Sequence, residues 1–347
     1  MTDLYNIPND DGKGFRLDKF VEYQNEVPSI HYRFMGEYIK REGFDADIAV
    51  EMCWYMACVY NEIGAIMIQS MYEDGATTEY VCSRLNEIPV NSAKKYIRYK
   101  GRFKTMMDGF REITQGSPYL WLKTHSVGSG RKNYDSITRG LRGIVECGRF
   151  SAELFMESAS YLSDYLGVEL EESEEIDWRN GSNLTSGLFN MFYEDEKAIE
   201  YDKSKRVTSD DSKWLSERLL EVRSAIQARY PSQDSSVNSF VGKVCSFRNL
   251  FKGTRYGGFH HDRQLQQINS LPDDFKWLAE KSFELRAEMF HPRFLGESCG
   301  WSGIRKEMKK LWLTKGLTGA EPNLTSKSST ATEARDGRAS LMTARCP

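Results

Sequence analysis

The chain has 347 residues and 40.0 kDa, of which 40% are hydrophobic and 12% aromatic, enough apolar mass for one large domain or two modest ones. No apolar run approaches the roughly 20 residues that span a bilayer, and the opening MTDLYNIPNDDGKGF lacks a secretory-signal pattern, so a soluble cytoplasmic protein is expected. A net charge of −3 excludes a uniformly basic surface, and seven cysteines without CxxC spacing (Cys53, Cys58, Cys82, Cys147, Cys245, Cys299 and Cys346) support neither a zinc site nor a disulfide scaffold.

In chain order, residues 1–28 are polar and carry Pro8, Gly12 and Gly14, which predicts a loose arm. Asp45 then suits a helix N-cap, with Ile48, Met52, Tyr55, Met56, Val59, Ile63, Ile66 and Met67 at helical spacing behind it. Apolar residues lie on nearly every side of that helix, so it should be central and buried. A second helix over 77–86 stops before Pro89, and a third over 92–114 is basic on its outer face. Glycine and serine make HSVGSGRKNYD at 125–135 a surface loop; its GSGRK lacks Walker spacing and the Lys-Ser/Thr ending, which removes the main support for a kinase or ATPase. Helical spacing resumes over 134–167 through Ile137, Leu141, Ile144, Leu154 and Phe155, with Gly167 as terminator. A short helix over 183–192, an amphipathic one over 209–230 (Trp214, Leu215, Leu219, Val222, Ile226) and a last one over 273–290 follow, the latter two halted by Pro231 and Pro292. Extended alternation is almost absent. The expected fold class is mostly α, strands few or absent: a multi-helix catalytic domain over 29–316, with room for two lobes meeting near 168–182, and a disordered Ser/Thr/Ala-rich tail over 317–347.

Charge is segregated along this frame. Lys94, Lys95, Arg98, Lys100, Arg102 and Lys104 form one basic group, and Arg305, Lys306, Lys309, Lys310 and Lys315 another, while acid pools at 169–177 and 194–200. Segregation of this kind predicts a basic cleft on an acidic protein. The segment VNSFVGKVCSFRNLFKGTRYGGFHHDRQLQQI at 237–268 mixes Lys243, Arg248, Lys252, Arg255 and Arg263 with aromatic rings around Gly253, Gly257 and Gly258. Cations, flat rings and close-approach glycines together suit an anionic ligand carrying a base.

That segment's CSFRNLFKGTRYGGFHHDRQLQQI resembles the bacteriophage amino acid:DNA transferases, the alpha-glutamyl/putrescinyl thymine pyrophosphorylases. So do CWYMACVYNEIGAIMIQS at 53–70, GRFSAELFMESASYL at 148–162, WRNGSNLTSGL at 178–188 and GWSGIR at 300–305, in that order along the chain from about Phe44 to Trp312. The resemblance implies a virus-encoded enzyme of the host cytoplasm, with a helical fold likened to DNA glycosylases. Its substrate would be double-stranded phage DNA whose thymine carries a pyrophosphorylated 5-hydroxymethyl group, and it would replace pyrophosphate with a free amino acid or amine.

Roles implied by the resemblance fall on the matched segments. Arg248, Lys252, Arg255 and Arg263 would hold pyrophosphate, with a divalent ion such as Mg2+ left open and no other cofactor assigned. Arg149, Arg179 and Asn180 would receive the amino acid, a planar guanidinium suiting its carboxylate. Asp177, Asp262, Glu153 and His261 are candidate catalytic groups for deprotonating the incoming amine, with His260 beside them. Glu153 follows Arg149 by four residues, so an ordinary helical ion pair is an equal alternative. Outside the matched segments, the segregated basic group would bring Lys94, Lys95, Arg98 and Arg102, with Arg305, to DNA phosphates, and Tyr256 and Trp301 would stack on a base. Two other readings stay open: a non-catalytic helical DNA-binding protein and a glycosylase-like enzyme.

Overall fold

In a computed structural model, the structure describes Phe20, residues 30–99, 101–171, Trp178, 182–192, 194–229, Pro231, Val244 and 259–290. Among the described residues helix predominates and no strand occurs, so the expected mostly-α class holds. No described helix is long and apolar enough to cross a membrane.

The centre is α2 (Ala46–Val59), which follows α1 (Ile30–Glu42). Asp45 caps α2 by accepting from the Ile48 amide at 2.9 Å, and Trp54 at its middle stacks on Phe110 at 4.7 Å and meets Phe155 edge-on at 6.4 Å. Its partners are α3 (Glu62–Glu73) and α8 (Arg149–Tyr161), with α4 (Thr78–Ser83), α5 (Arg102–Thr114), α6 (Pro118–Thr124) and α7 (Gly130–Arg142) around them. The short α9 (Ser163–Leu166) ends at Gly167, whose φ of 58° makes it the left-handed terminator expected there.

A second hydrophobic cluster gathers Trp178 and α10 (Ser182–Met191), α11 (Asp195–Ser204) and α12 (Ser209–Arg229). In α12 the stripe Leu215, Leu219, Val222 and Ile226 is buried, as its spacing predicted. The chain then rejoins the first cluster through α13 (Phe259–Asn269) and α14 (Lys276–Met289), which contribute Ile268, Leu278 and Leu285.

Several expected boundaries move. The helix expected to run unbroken from Asp45 through Met67 breaks at Tyr60, which sits at φ 47°, after which Asn61 caps α3 by accepting from the Gly64 amide at 2.8 Å. The helix expected over 92–114 is a 3-10 turn, Ser92–Arg98, followed by α5, because Gly101 turns left-handed at φ 73°. Most of the glycine-serine stretch expected to be a loop is the first turns of α7, where Asn133 accepts from the Gly128 amide at 2.7 Å and so closes the loop onto the helix. The helix expected over 134–167 parts between α7 and α8, with Glu146 at φ 67° in the gap. Phe20, inside the expected loose arm, is helical and fully buried in the second cluster.

Candidate functional site

The richest polar cluster of the first core forms where α2 breaks. The left-handed Tyr60 and the cap Asn61 put Tyr60 and Glu62 at the start of α3, beside His31 and Tyr32 from the first turn of α1. The first two turns of α8 add Arg149, Phe150, Ser151 and Glu153 and its third adds Glu157, the 3-10 turn adds Lys94, and α13 adds His260, Gln264 and Gln267. Rings link these parts: Phe150 meets Tyr60 edge-on at 5.6 Å, Tyr60 lies 6.5 Å from Tyr32 and 5.8 Å from His31, and His31 lies 5.1 Å from His260. Phe150 is 42% exposed, so the cluster opens to solvent there.

Glu62 is fully buried and fully engaged. Its Oε2 receives His31 Nδ1 at 2.5 Å and its Oε1 receives Gln264 Nε2, while Arg286 of α14 donates to Gln264 Oε1. Burial alone would raise the Glu62 carboxyl, but charge and hydrogen bonding from His31, with help from Gln264, outweigh it and hold the group below its ordinary range. Glu157 shows the opposite balance. Burial pushes its carboxyl up to about 7, Glu153 adds to the rise, and the Tyr32 hydroxyl, beside it without meeting strict hydrogen-bond geometry, offsets only part of it. Two carboxyls in one cluster are thus driven apart, one ionised and one holding its proton near neutral pH, a pattern that suits acid–base chemistry.

The expected site residues divide. Arg149 and Glu153 form the helical ion pair, with Arg149 Nε donating to Glu153 Oε1, both partly exposed at the cluster's edge. His261 is fully buried, edge-on to Phe290 at 4.7 Å, which places it in the core rather than at a surface where it would meet an amine, so as a direct base it is corrected. Asp262 and Arg263 are half-buried on α13. Lys94 is also corrected as a DNA contact. It is fully buried, donates to Ser151 Oγ and, at 3.3 Å, to the Tyr96 hydroxyl, and lies 5.3 Å from the Phe150 ring centre, because the 3-10 turn points it inward. Arg98 spends its guanidinium on the carbonyls of Leu85 (3.0 Å) and Ile88 (2.8 Å), whereas Lys95 is exposed and Arg102 pairs loosely with Glu146 at 3.4 Å. Asp177, Arg179, Asn180, Arg248, Lys252, Arg255, Tyr256, Trp301 and Arg305 lie outside the described residues.

Three resembling segments therefore supply one cluster: 53–70 at the helix break, 148–162 through α8 and the end of 245–268 through α13. Trp178, Leu184 and Leu188 of the segment 178–188 belong to the second core instead, where Gly187 packs so closely on Val244 that an added Cβ would stand 2.6 Å from its side chain. His31, Tyr32, Glu62, Glu157, Gln264 and Arg286 were not singled out from sequence. Glu62 alone left a local signal, as an acidic residue inside the apolar run VYNEIGAIMI. No group of three or more His, Cys, Asp or Glu side chains among the described residues could hold a metal ion. No family model, curated protein or solved structure matches this chain.

Proposed function

We propose that the chain is a virus-encoded transferase of DNA thymine hypermodification, working in the host cytoplasm. It exchanges the pyrophosphate of 5-pyrophosphoryloxymethyluracil in double-stranded DNA for an amino acid or related amine. The observation that carries this reading is the meeting of three resembling segments in one cluster that combines flat rings, an ion pair and two oppositely tuned carboxyls. The chemistry asks for those parts. The reacting carbon is benzylic-like and pyrophosphate leaves readily, so the protein must orient the amine, remove its proton and limit water. Phe150 and Tyr60 offer faces and edges for a pyrimidine, and Arg149 is a planar donor at the rim for a carboxylate.

The test is to incubate the full chain with pyrophosphorylated 5-hydroxymethyluracil DNA and pooled amino acids and polyamines, then to measure released pyrophosphate and analyse the nucleosides by mass spectrometry. The expected result is an amine-bearing nucleoside in equal amount to pyrophosphate. DNA retention with neither product would indicate a binding protein, and abasic sites a glycosylase; either result overturns the proposal.

A further inference from the structure

One face of α7 carries charged side chains of both signs that engage no other residue. Asp135, Thr138, Arg139 and Arg142 follow one another at i, i+3, i+4 and i+7, which places them within a ~100° arc of the helix. With Gly143 they line a cavity of about 540 Å3, a size that suits a small molecule. Among the described residues, Asp135, Arg139 and Arg142 make no side-chain hydrogen bond and no ion pair. Asp135 and Arg139 stand in the order and spacing at which a helix offers an ion pair, yet that pair is not made. The Thr138 hydroxyl behind them is buried and has no partner either.

We propose that this cavity binds an α-amino acid as its zwitterion, with the carboxylate between Arg139 and Arg142 and the ammonium against Asp135. Use of the bound molecule as the nucleophile rests on the transferase reading, which the cavity deepens by choosing an amino acid over a polyamine. Capture itself involves no covalent step.

The charges select that class. Two guanidiniums suit a carboxylate, since each presents paired N–H donors in one plane. A bare anion such as phosphate would meet the Asp135 carboxylate and the negative end of α7, whose last turn holds both arginines. A polyamine brings only cations to a cavity with two guanidiniums and one carboxylate. A zwitterion answers both signs. Arg149, the other guanidinium suited to a carboxylate, is held by Glu153, whereas Arg139 and Arg142 are held by no acid. The cavity also neighbours the aromatic cluster. Burial pushes the Cys147 thiol up to about 11 against the pull of both Lys94, from the cluster, and Arg142, from the cavity.

Saturation-transfer NMR on the full chain, with each of the common L-α-amino acids in turn, reads binding without any transfer. At least one amino acid is expected to bind. Its N-acetyl derivative, its amide and putrescine each lack one charge of the zwitterion and should bind about tenfold or more weakly. Arg139→Gln, Arg142→Gln and Asp135→Asn change exposed side chains, which spares the fold, and each should weaken binding by about tenfold. Binding of no amino acid overturns the proposal, as does equal binding of the acetylated form or of putrescine, or unchanged affinity in the three variants. In the transfer assay, Arg142→Gln is expected to raise KM for the amino acid about tenfold, with kcat and KM for DNA little changed. An unchanged KM there, or transfer of putrescine in preference to every amino acid, also overturns it. Amino-acid binding without transfer by the unmodified chain refutes the transferase reading alone.

Discussion

Glu157→Gln gives a measurable reversal in how stability depends on pH. The carboxyl is pushed from 4.5 up to about 7 by burial first and by Glu153 second. A carboxyl that keeps its proton longer when folded makes the native state bind more protons than the unfolded chain between those two values. Stability therefore falls as pH rises through that window, and the loss is complete above about 7. At about 1.36 kcal/mol per pH unit the full displacement corresponds to roughly 3 kcal/mol. Glu157 keeps partial contact with solvent, which lowers the expected effect to about 1–2 kcal/mol. Glutamine has the same shape and no charge to desolvate, so its variant should not share that loss. Urea unfolding of both proteins at pH 5 and pH 8 isolates the effect, because every other titrating group cancels in the difference. The variant should gain about 1–2 kcal/mol on the unmodified chain between the two pH values. Parallel pH dependences would show that the carboxyl is not held neutral and would remove it from the tuned pair.

Asn61→Ala removes both the cap on the Gly64 amide and the bond to Gln267, and should cost about 1–3 kcal/mol in urea unfolding; a loss below about 0.5 kcal/mol would contradict the cap. Gly64→Ala should destabilise by about 1–3 kcal/mol despite alanine's better helix propensity, since the added Cβ would stand 2.2 Å from the Pro89 carbonyl oxygen. A stabilised Gly64→Ala would refute that close approach. Iodoacetamide at pH 8 on the folded chain should spare Cys53 and Cys58, which are fully buried with thiols pushed up by that burial, and mark the more exposed Cys82; peptide mapping checks it.

The sequence made α2 legible because ten of its residues are buried and apolar spacing on every side leaves no other reading. The stripe of α12 was equally plain. The break at Tyr60 was hidden because apolar spacing runs straight through it; only the pair Asn61 and Gly64, three residues apart, hints at a fresh cap. Arg149 and Glu153 were legible as neighbours, since one helix turn decides their contact. The His31, Glu62, Gln264 and Arg286 network was not, because each bond in it joins separate segments and local pattern carries no information about which distant side chain arrives. Lys94 was misplaced for a related reason: charge alone cannot tell a surface lysine from one folded over Phe150, and the 3-10 turn decides that.

Glu62 and Gln264 are 202 positions apart in sequence. On a ribosome adding about 5–20 residues per second, roughly 10–40 s separate the emergence of the carboxylate from that of its amide partner. During that interval the nascent α1–α3 unit can offer Glu62 only His31, and burying a charge so thinly compensated is unfavourable. The second hydrophobic cluster is synthesised in the meantime, between the two parts of the first. Closure of the first core thus waits for α13 and α14, and a nascent chain arrested after α12 would hold the Glu62 carboxylate at an unsealed seam.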